Sequence, residues 1–317
     1  KIIGNVYPFM GAALLFMAIG VGVMLIVGAL NGVHEMIELT PATLKNWHSD
    51  PQNNILVPML FIVVSCGAIS GFHSTQSPLM SRCLKNEKYA RPVFYGAMIA
   101  EGIVAMIWAT AAITYFGGPE GLNAAMSETG TVVNGVLVKN AEAADIVDMI
   151  CRSWLGKVGA VIAILGVVIC PITSGDTAFR SLRLSLADLF RFDQKPISKR
   201  LVVCLPVFVA AFFFCKVDFS TAWSYLGIAN QILATIVLWT GAAYLIQKGR
   251  AHWMCSLPAA FLTFVCVSFL IVAPLGLGLD PIVGYVAGAV AGLGFLILFI
   301  AQGVKASSRP SLQGTSF

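Results

Sequence analysis

Polar side chains interrupt the apolar stretches of this 317-residue sequence at a small number of places. Two are short runs, Ser70–Pro78 and Cys170–Thr177, and the third is a pair of isolated features within apolar segments. Such residues can bind a solute or exchange a proton, because each is costly in an apolar setting unless it is used. The candidate site residues are Ser70, His73, Ser74, Thr75, Gln76, Ser77, Glu101, Thr173, Ser174, Asp176, Asn230 and Gln231.

The first run predicts a helix that stops and restarts. Gly71 loosens the helix, and Ser77-Pro78 is typical of an N-cap followed by a first-turn proline. A restarted helix exposes free N–H groups and the positive end of its dipole, which favour a carboxylate. His73 could exchange protons near neutral pH. An ordinary helix end at the membrane surface explains the run equally well, and both interpretations stay open.

The second run contains a proline followed by residues that can unwind and recap a helix. Pro171 removes a helical hydrogen bond, and Asp176 is the predicted N-cap of the next helix, with Thr173 and Ser174 between them. Cys170 to Gly175 repeats the spacing C-x-x-x-S-G of Cys66 to Gly71. Paired interrupted segments indicate a transporter binding site, although a three-residue match also arises by chance. A charged Asp176 would repel an anion, so its predicted role is a cap or proton site.

The isolated features are a carboxylate and two adjacent amides. Glu101 lies ten residues into a long apolar segment, where it predicts either proton coupling or a structural hydrogen bond. Asn230 and Gln231 interrupt another segment, where they either join helices or line a pathway.

Composition places these residues in a membrane protein. Apolar residues make up 58% of the chain and charged residues 11%, far below the roughly 25% of soluble domains. With about 20 residues per span, the sequence predicts an all-α polytopic transmembrane helix bundle of about eight spans with interrupted helices. The predicted spans are Val6–Leu30, Ile55–Phe72, Pro92–Phe116, Leu155–Ile172, Leu201–Cys215, Phe219–Ile246, Trp253–Pro274 and Ile282–Gln302.

The charges of the connecting loops predict the orientation. Alternate loops, with both termini, hold 15 of the 20 Lys and Arg residues, and the intervening loops hold ten of the 15 acids. Basic loops face the cytoplasm, so both termini are predicted to be cytoplasmic. The net charge of +5 is thus a sign of topology, and no nucleic-acid partner is predicted.

Three further patterns concern packing and surface. Residues 177–191 predict an amphipathic helix lying on the cytoplasmic surface, and residues 303–317 a cytoplasmic tail. Gly284, Gly288 and Gly292 favour close helix packing within the molecule over dimerisation. The eight scattered cysteines predict free thiols.

Sequence motifs of nucleotide hydrolases, zinc proteases and serine hydrolases are missing, so neither an enzyme nor a cofactor or metal site is predicted. The remaining alternatives to a carrier are a membrane channel and a sensing or signalling membrane subunit. A channel needs a continuous polar face, whereas a sensor needs a soluble output domain larger than the longest loop, 117–154.

Four segments resemble the carbon starvation protein A (CstA) family. They are Ser70–Pro78 continuing to Arg82-Cys83, Val93–Met98 with Glu101-Gly102, Pro171–Arg180, and Tyr225–Gly227 with Ala229–Gln231. The resemblance implies a bacterial inner-membrane secondary transporter, induced on carbon starvation, for peptides or, in some members, proton-coupled pyruvate. It also implies a fold distantly like the amino acid–polyamine–organocation superfamily. Family members carry further spans upstream, so 1–317 is expected to be one transmembrane domain, the C-terminal part of a longer carrier.

The predicted function is therefore import of a small carboxylated solute, peptide or pyruvate, together with H+ across the lipid bilayer. In this prediction the freed helix ends at Ser77 and Asp176 hold the carboxylate or line its route. Glu101 or His73 carries the proton, and the amides of Asn230 and Gln231 supply neutral hydrogen bonds. The sequence leaves the choice of substrate, the coupling ion and the oligomeric state open.

Overall fold

The computed structural model describes most of the chain. The described residues are 2–34, 36–38, 40–41, 43, 45–48, 51, 55–65, 67, 69–217 and 219–307. Within these ranges, the side chains of 2–7, 163–164, 167–171, 219–220 and 304–307 are left undescribed.

The described residues form ten α-helices and one short β-hairpin. The helices are α1 (Ile2–Leu30), α2 (Leu56–Val63), α3 (Gly71–Ser81), α4 (Ala97–Tyr115), α5 (Pro119–Met126), α6 (Ala143–Leu189), α7 (Ile197–Phe214), α8 (Phe219–Gln247), α9 (Trp253–Val272) and α10 (Pro281–Ser307). The hairpin pairs β1 (Thr131–Val133) with β2 (Val136–Val138) in antiparallel register, with Thr131 opposite Val138. A 3-10 turn (Glu87–Tyr89) and a π-helical turn (Arg91–Gly96) precede α4.

Six helices in the described part of the chain are long and apolar enough to cross a membrane. They are Pro8–Leu30, Glu87–Tyr115, Ile197–Phe214, Thr221–Gln247, Trp253–Val272 and Pro281–Gly303. Each coincides with a predicted span, and the predicted all-α membrane architecture is confirmed. Large apolar side chains such as Phe212 and Phe213 on α7 are exposed, as lipid contact requires.

The second predicted span is wrong as a continuous helix. The eight-residue α2 ends at Val63 and α3 begins at Gly71, and the described residues between them are not helical. The helix therefore restarts earlier than the predicted restart at Ser77.

The fourth predicted span and the predicted surface helix belong to one element. α6 runs without interruption through Pro171 and Asp176 to Leu189, so the predicted unwinding there is wrong. The bend comes instead at Gly156, whose φ of 66° and ψ of −153° lie outside the helical region. Residues 177–189 are helical as a continuation of α6, and their placement on the cytoplasmic surface stays a prediction.

The chain divides into two compact units. Unit 1 comprises residues 1–49 and 86–208, and unit 2 comprises residues 50–85 and 209–317.

Unit 1 is built around the packing of α1 and α4 on α6. Val21 of α1, Ala111 of α4 and Ile150 of α6 are completely buried in its core. The first turn of α6 is fixed by a capping interaction in which the Glu142 N–H donates to Asp145 Oδ2 at 3.0 Å. The six cysteines with described side chains are free thiols (Cys83, Cys151, Cys204, Cys215, Cys255 and Cys266), whereas Cys66 and the Cys170 side chain lie outside the description.

Unit 2 is held together by α8, α9 and α10. Gly284, Gly288 and Gly292 face α9, and a Cβ at 288 would overlap Ser268 Oγ and lie 2.7 Å from the Phe264 carbonyl oxygen. The Ser268 hydroxyl donates to the Gly284 carbonyl at 3.0 Å across the same interface. The predicted close approach within the molecule is confirmed. The part of the predicted tail beyond Ser307 lies outside the described residues.

Replacing Gly288 by leucine should separate α9 from α10, because its side chain would collide with Ser268 and the Phe264 backbone. We expect a destabilisation of about 1–3 kcal/mol, seen as a lower apparent melting temperature of the purified protein in detergent. Gly294→Leu is the matched control, since a Cβ there meets nothing within 4 Å. Equal melting temperatures for the two variants would contradict this packing.

Candidate functional site

The polar residues of unit 2 meet where α2 gives way to α3. After Val63 the chain leaves the helical conformation, and Ser70 has the extended dihedral angles φ −94° and ψ 119° before Gly71 begins α3. Every helix leaves its first four N–H groups without acceptors inside the helix. The start of α3 is thus a group of backbone donors within a largely apolar part of the chain.

Asn230 of α8 joins the two sides of this interruption. Its Oδ1 accepts from the backbone N–H of Phe72 at 2.7 Å, and its Nδ2 donates to Ser65 Oγ at 3.3 Å. Both side chains are buried, Asn230 to 7% and Ser65 to 1% exposure. The Ser70 side chain makes no capping hydrogen bond, so the amide that caps α3 comes from another helix.

Small residues let these backbones come together. A Cβ on Gly71 would overlap the Asn230 carbonyl oxygen and lie 2.9 Å from the backbone nitrogen of Ala234. One turn away, a Cβ on Gly227 would lie 2.9 Å from Ile62 of α2. Glycine at 71 therefore sets the approach of α3 to α8 and brings the Phe72 amide within reach of Asn230.

The predicted N-cap role of Ser77 is wrong. Ser77 lies in the second half of α3, where its hydroxyl donates to the His73 carbonyl at 2.8 Å, and Pro78 follows inside the same helix. Ser74 and Thr75 likewise donate to the carbonyls of Gly71 and Phe72. Hydroxyls within a helix commonly return to carbonyls one turn back. Gln76 donates to Thr75 Oγ1 at 3.2 Å, and the His73 side chain is half-buried on α3.

Gln231 is the next residue on α8 and is nearly inaccessible, with 1% exposure. Its Oε1 has no hydrogen-bond partner among the described residues. The Gln231 backbone carbonyl accepts from Thr235 Oγ1 at 2.8 Å, and the same hydroxyl lies 3.7 Å from Cys266 Sγ of α9. A buried amide oxygen without a partner costs about 1–3 kcal/mol. A buried polar atom that lowers stability in this way is expected at a functional site.

The other candidate residues belong to unit 1. Asp176 is not an N-cap; it lies inside α6, where its Oδ2 accepts from Arg180 Nη2 at 2.7 Å. The Thr173 carbonyl accepts from the Thr177 hydroxyl at 2.7 Å, and Ser174 is exposed. The predicted freed helix end at Asp176 is therefore not formed, because α6 continues through it.

Glu101 lies on α4, half-buried, five residues after the π-helical turn Arg91–Gly96. π turns are rare and frequent at functional sites, since they shift the register of one helical face. Neither this turn nor the role of Ser65 was foreseen from the sequence. Ser65 opens the run of small residues Ser65–Gly67, which is the signal that could have marked the break.

The match to known proteins covers most of the chain. The family model "Carbon starvation protein CstA" matches residues 12–151 and 121–269. An uncharacterized protein of Haemophilus influenzae is 50% identical over 113 residues, which are 36% of this chain and 82% of that protein. No solved structure matches the chain significantly.

Two relatives with named functions also match. The peptide transporter CstA of Campylobacter jejuni is 27% identical over 282 residues, 73% of this chain and 39% of the relative. The pyruvate/proton symporter BtsT of Escherichia coli is 47% identical over 58 residues, 18% of this chain and 8% of the relative. The chain thus spans about two fifths of the length of the peptide transporter. The resemblance seen in the sequence motifs is confirmed, and the chain belongs to the carbon starvation protein CstA family.

Proposed function

We propose that this chain forms substrate-binding machinery of a secondary active transporter that imports a small carboxylated solute, a peptide or pyruvate, together with a proton. The observation that carries the proposal is the interrupted α2–α3 segment bridged by Asn230. Interrupted membrane helices place helix ends next to a substrate, and the N-terminal end suits an anionic group. The peptide transporters and the pyruvate/proton symporter among its relatives support the two substrate classes.

The start of α3 offers the seat for the substrate carboxylate. Asn230 occupies the Phe72 N–H, and the neighbouring first-turn N–H groups carry the positive end of the helix dipole. Asn230 is neutral, so it holds the break without repelling an anion. Gln231 would supply a further neutral contact, its amide oxygen accepting a hydrogen bond from a substrate N–H.

The coupling proton requires a group that can change its charge. Glu101 on α4 and His73 on α3 are the candidates, because a carboxyl in a membrane helix is usually functional and an imidazole can both accept and donate a proton. The proposal places the carboxylate at the start of α3, because α6 continues as a helix through Thr173, Ser174 and Asp176 and leaves no freed helix end there.

The membrane is the bacterial inner membrane, with both ends of this chain on the cytoplasmic side. The support is the alternation of loop charge, because positively charged loops are retained in the cytoplasm. The acidic segments around the β-hairpin and the N-terminal half of α6 then face outward.

Proton coupling predicts uphill uptake only under a pH gradient. Reconstituted protein should concentrate labelled dipeptide or pyruvate when the vesicle lumen is alkaline, and a protonophore should abolish the accumulation. Glu101→Gln should lower the accumulation ratio by about tenfold, while Glu120→Gln, on the short helix α5 outside the membrane-crossing helices, should leave it unchanged. Equal uptake with and without the pH gradient would contradict proton coupling. Normal accumulation by Glu101→Gln would contradict a role of Glu101 in that coupling.

A substitution of Gln231 distinguishes an effect on substrate binding from an effect on folding. Gln231→Met keeps the side-chain volume but removes an amide oxygen that lacks a partner, so the apparent melting temperature should stay equal or rise. Substrate affinity should nevertheless fall by about tenfold, the worth of one hydrogen bond. The measurements are melting in detergent and the KM for uptake, with Gln247→Met on the same helix as control. A lower melting temperature with an unchanged KM would mean that Gln231 serves only the packing of α8.

A further inference from the structure

Unit 1 contains a cleft of about 680 Å³ that the proposed function does not use. It lies where the ends of α1 and α4 meet the β-hairpin and the N-terminal section of α6. The lining residues used below are His34, Thr114, Tyr115, Asn134, Ser153 and Trp154. The proposed carboxylate seat, by contrast, is formed by residues of unit 2.

The cleft lining includes a cluster of three rings, in which Trp154 contacts both His34 and Tyr115. The His34 ring lies 4.7 Å from the Trp154 ring at an interplanar angle of 34°. Tyr115 meets Trp154 edge-on, with ring centroids 6.1 Å apart at 69°. Each of the three side chains also lines the cleft, so a bound apolar or aromatic group would find π faces and edges.

Glycines allow this cluster to form. A Cβ at Gly28 would overlap the His34 ring, so only glycine lets the imidazole lie against α1 at that point. The chain turns after α1 by donating the Val33 N–H to the Gly28 carbonyl at 2.8 Å, which brings His34 back over the helix end. Gly117, with a φ of +71°, ends α4 next to Tyr115.

The cleft lining also includes neutral hydrogen-bonding residues. Asn134, at the hairpin turn, contributes an amide, and Thr114 and Ser153 contribute hydroxyls. Amide and hydroxyl groups can pair with the backbone N–H and C=O groups of a peptide, next to an apolar side chain on the rings.

The cleft volume selects the size of the ligand. Binding pockets for small organic molecules measure about 300–1,000 Å³, and a three-carbon acid would fill only a small part of 680 Å³. The lining segments all border the loops predicted to face outward, so the cleft would open on the side from which a solute arrives.

We propose that this cleft is an outer receiving site for short peptides with an aromatic side chain, which packs on Trp154 while the peptide backbone bonds to Asn134 and Ser153. The inference rests on the proposed function for its ligand, the transported peptide, but the site is formed by residues outside the proposed carboxylate seat. It predicts that the chain binds aromatic dipeptides in preference to glycine dipeptides or pyruvate, independently of any proton gradient.

Isothermal titration of the purified protein tests the site, with Phe-Ala, Gly-Gly and pyruvate as probes. Phe-Ala should bind most tightly, and Trp154→Ala should weaken its binding by about tenfold. Trp253→Ala, which removes an exposed tryptophan of unit 2, should bind as the unchanged protein does. Equal Phe-Ala affinity in Trp154→Ala would overturn the proposal.

Tryptophan fluorescence decides the case in which Trp154→Ala fails to fold. Phe-Ala should change the emission of the unchanged protein and of Trp253→Phe, whereas Trp154→Phe should bind the peptide without that change. If Phe-Ala changed the fluorescence of Trp154→Phe as it does that of the unchanged protein, the site would be contradicted. Binding of octanoate without binding of any peptide would also contradict it, because that is the behaviour of a groove for lipid tails. Neither measurement reads uptake, so failure here leaves the proposed transport untouched, and failed uptake leaves this site standing.

Discussion

The hydrogen bonds of Asn230 are the interaction on which the candidate site depends. A membrane interior offers no water to a broken helix, and each backbone group left without a partner costs several kcal/mol. Asn230 accepts from Phe72 on one side of the α2–α3 interruption and donates to Ser65 on the other. One neutral side chain thereby stabilises a helix start without adding a charge there.

The remainder of unit 2 makes that contact possible. Gly71 and Gly227 let α3 and α2 approach α8, and the glycines of α10 seat it against α9, itself half buried. Close packing through small residues is needed in lipid, because helices there gain little from hydrophobic burial alone. The packing of α8, α9 and α10 therefore holds Asn230 and Gln231 in place against the short helix α3.

Residue patterns predicted the membrane class, six of the spans, the glycine contact of α10 and an interrupted helix near Ser70. They misplaced the helix start because Ser77-Pro78 satisfies a local capping rule, whereas the actual start is capped by Asn230, 158 residues away in sequence. They also predicted a break at Asp176, but local polarity does not unwind α6, and the actual bend at Gly156 depends on a positive φ that the sequence does not reveal. Long-range partners such as Ser65 leave only a weak trace in the sequence, since a serine among small residues has many possible roles.

Hydrogen exchange at the start of α3 tests the central claim most directly. In the purified protein, peptides covering 69–76 should exchange more slowly than in Asn230→Ala, because the alanine cannot accept from the Phe72 N–H. Peptides from the α9–α10 interface should exchange alike in both proteins. Unchanged exchange at 69–76, or an equal increase across α9 and α10, would contradict the role of Asn230 as the local cap of an interrupted helix.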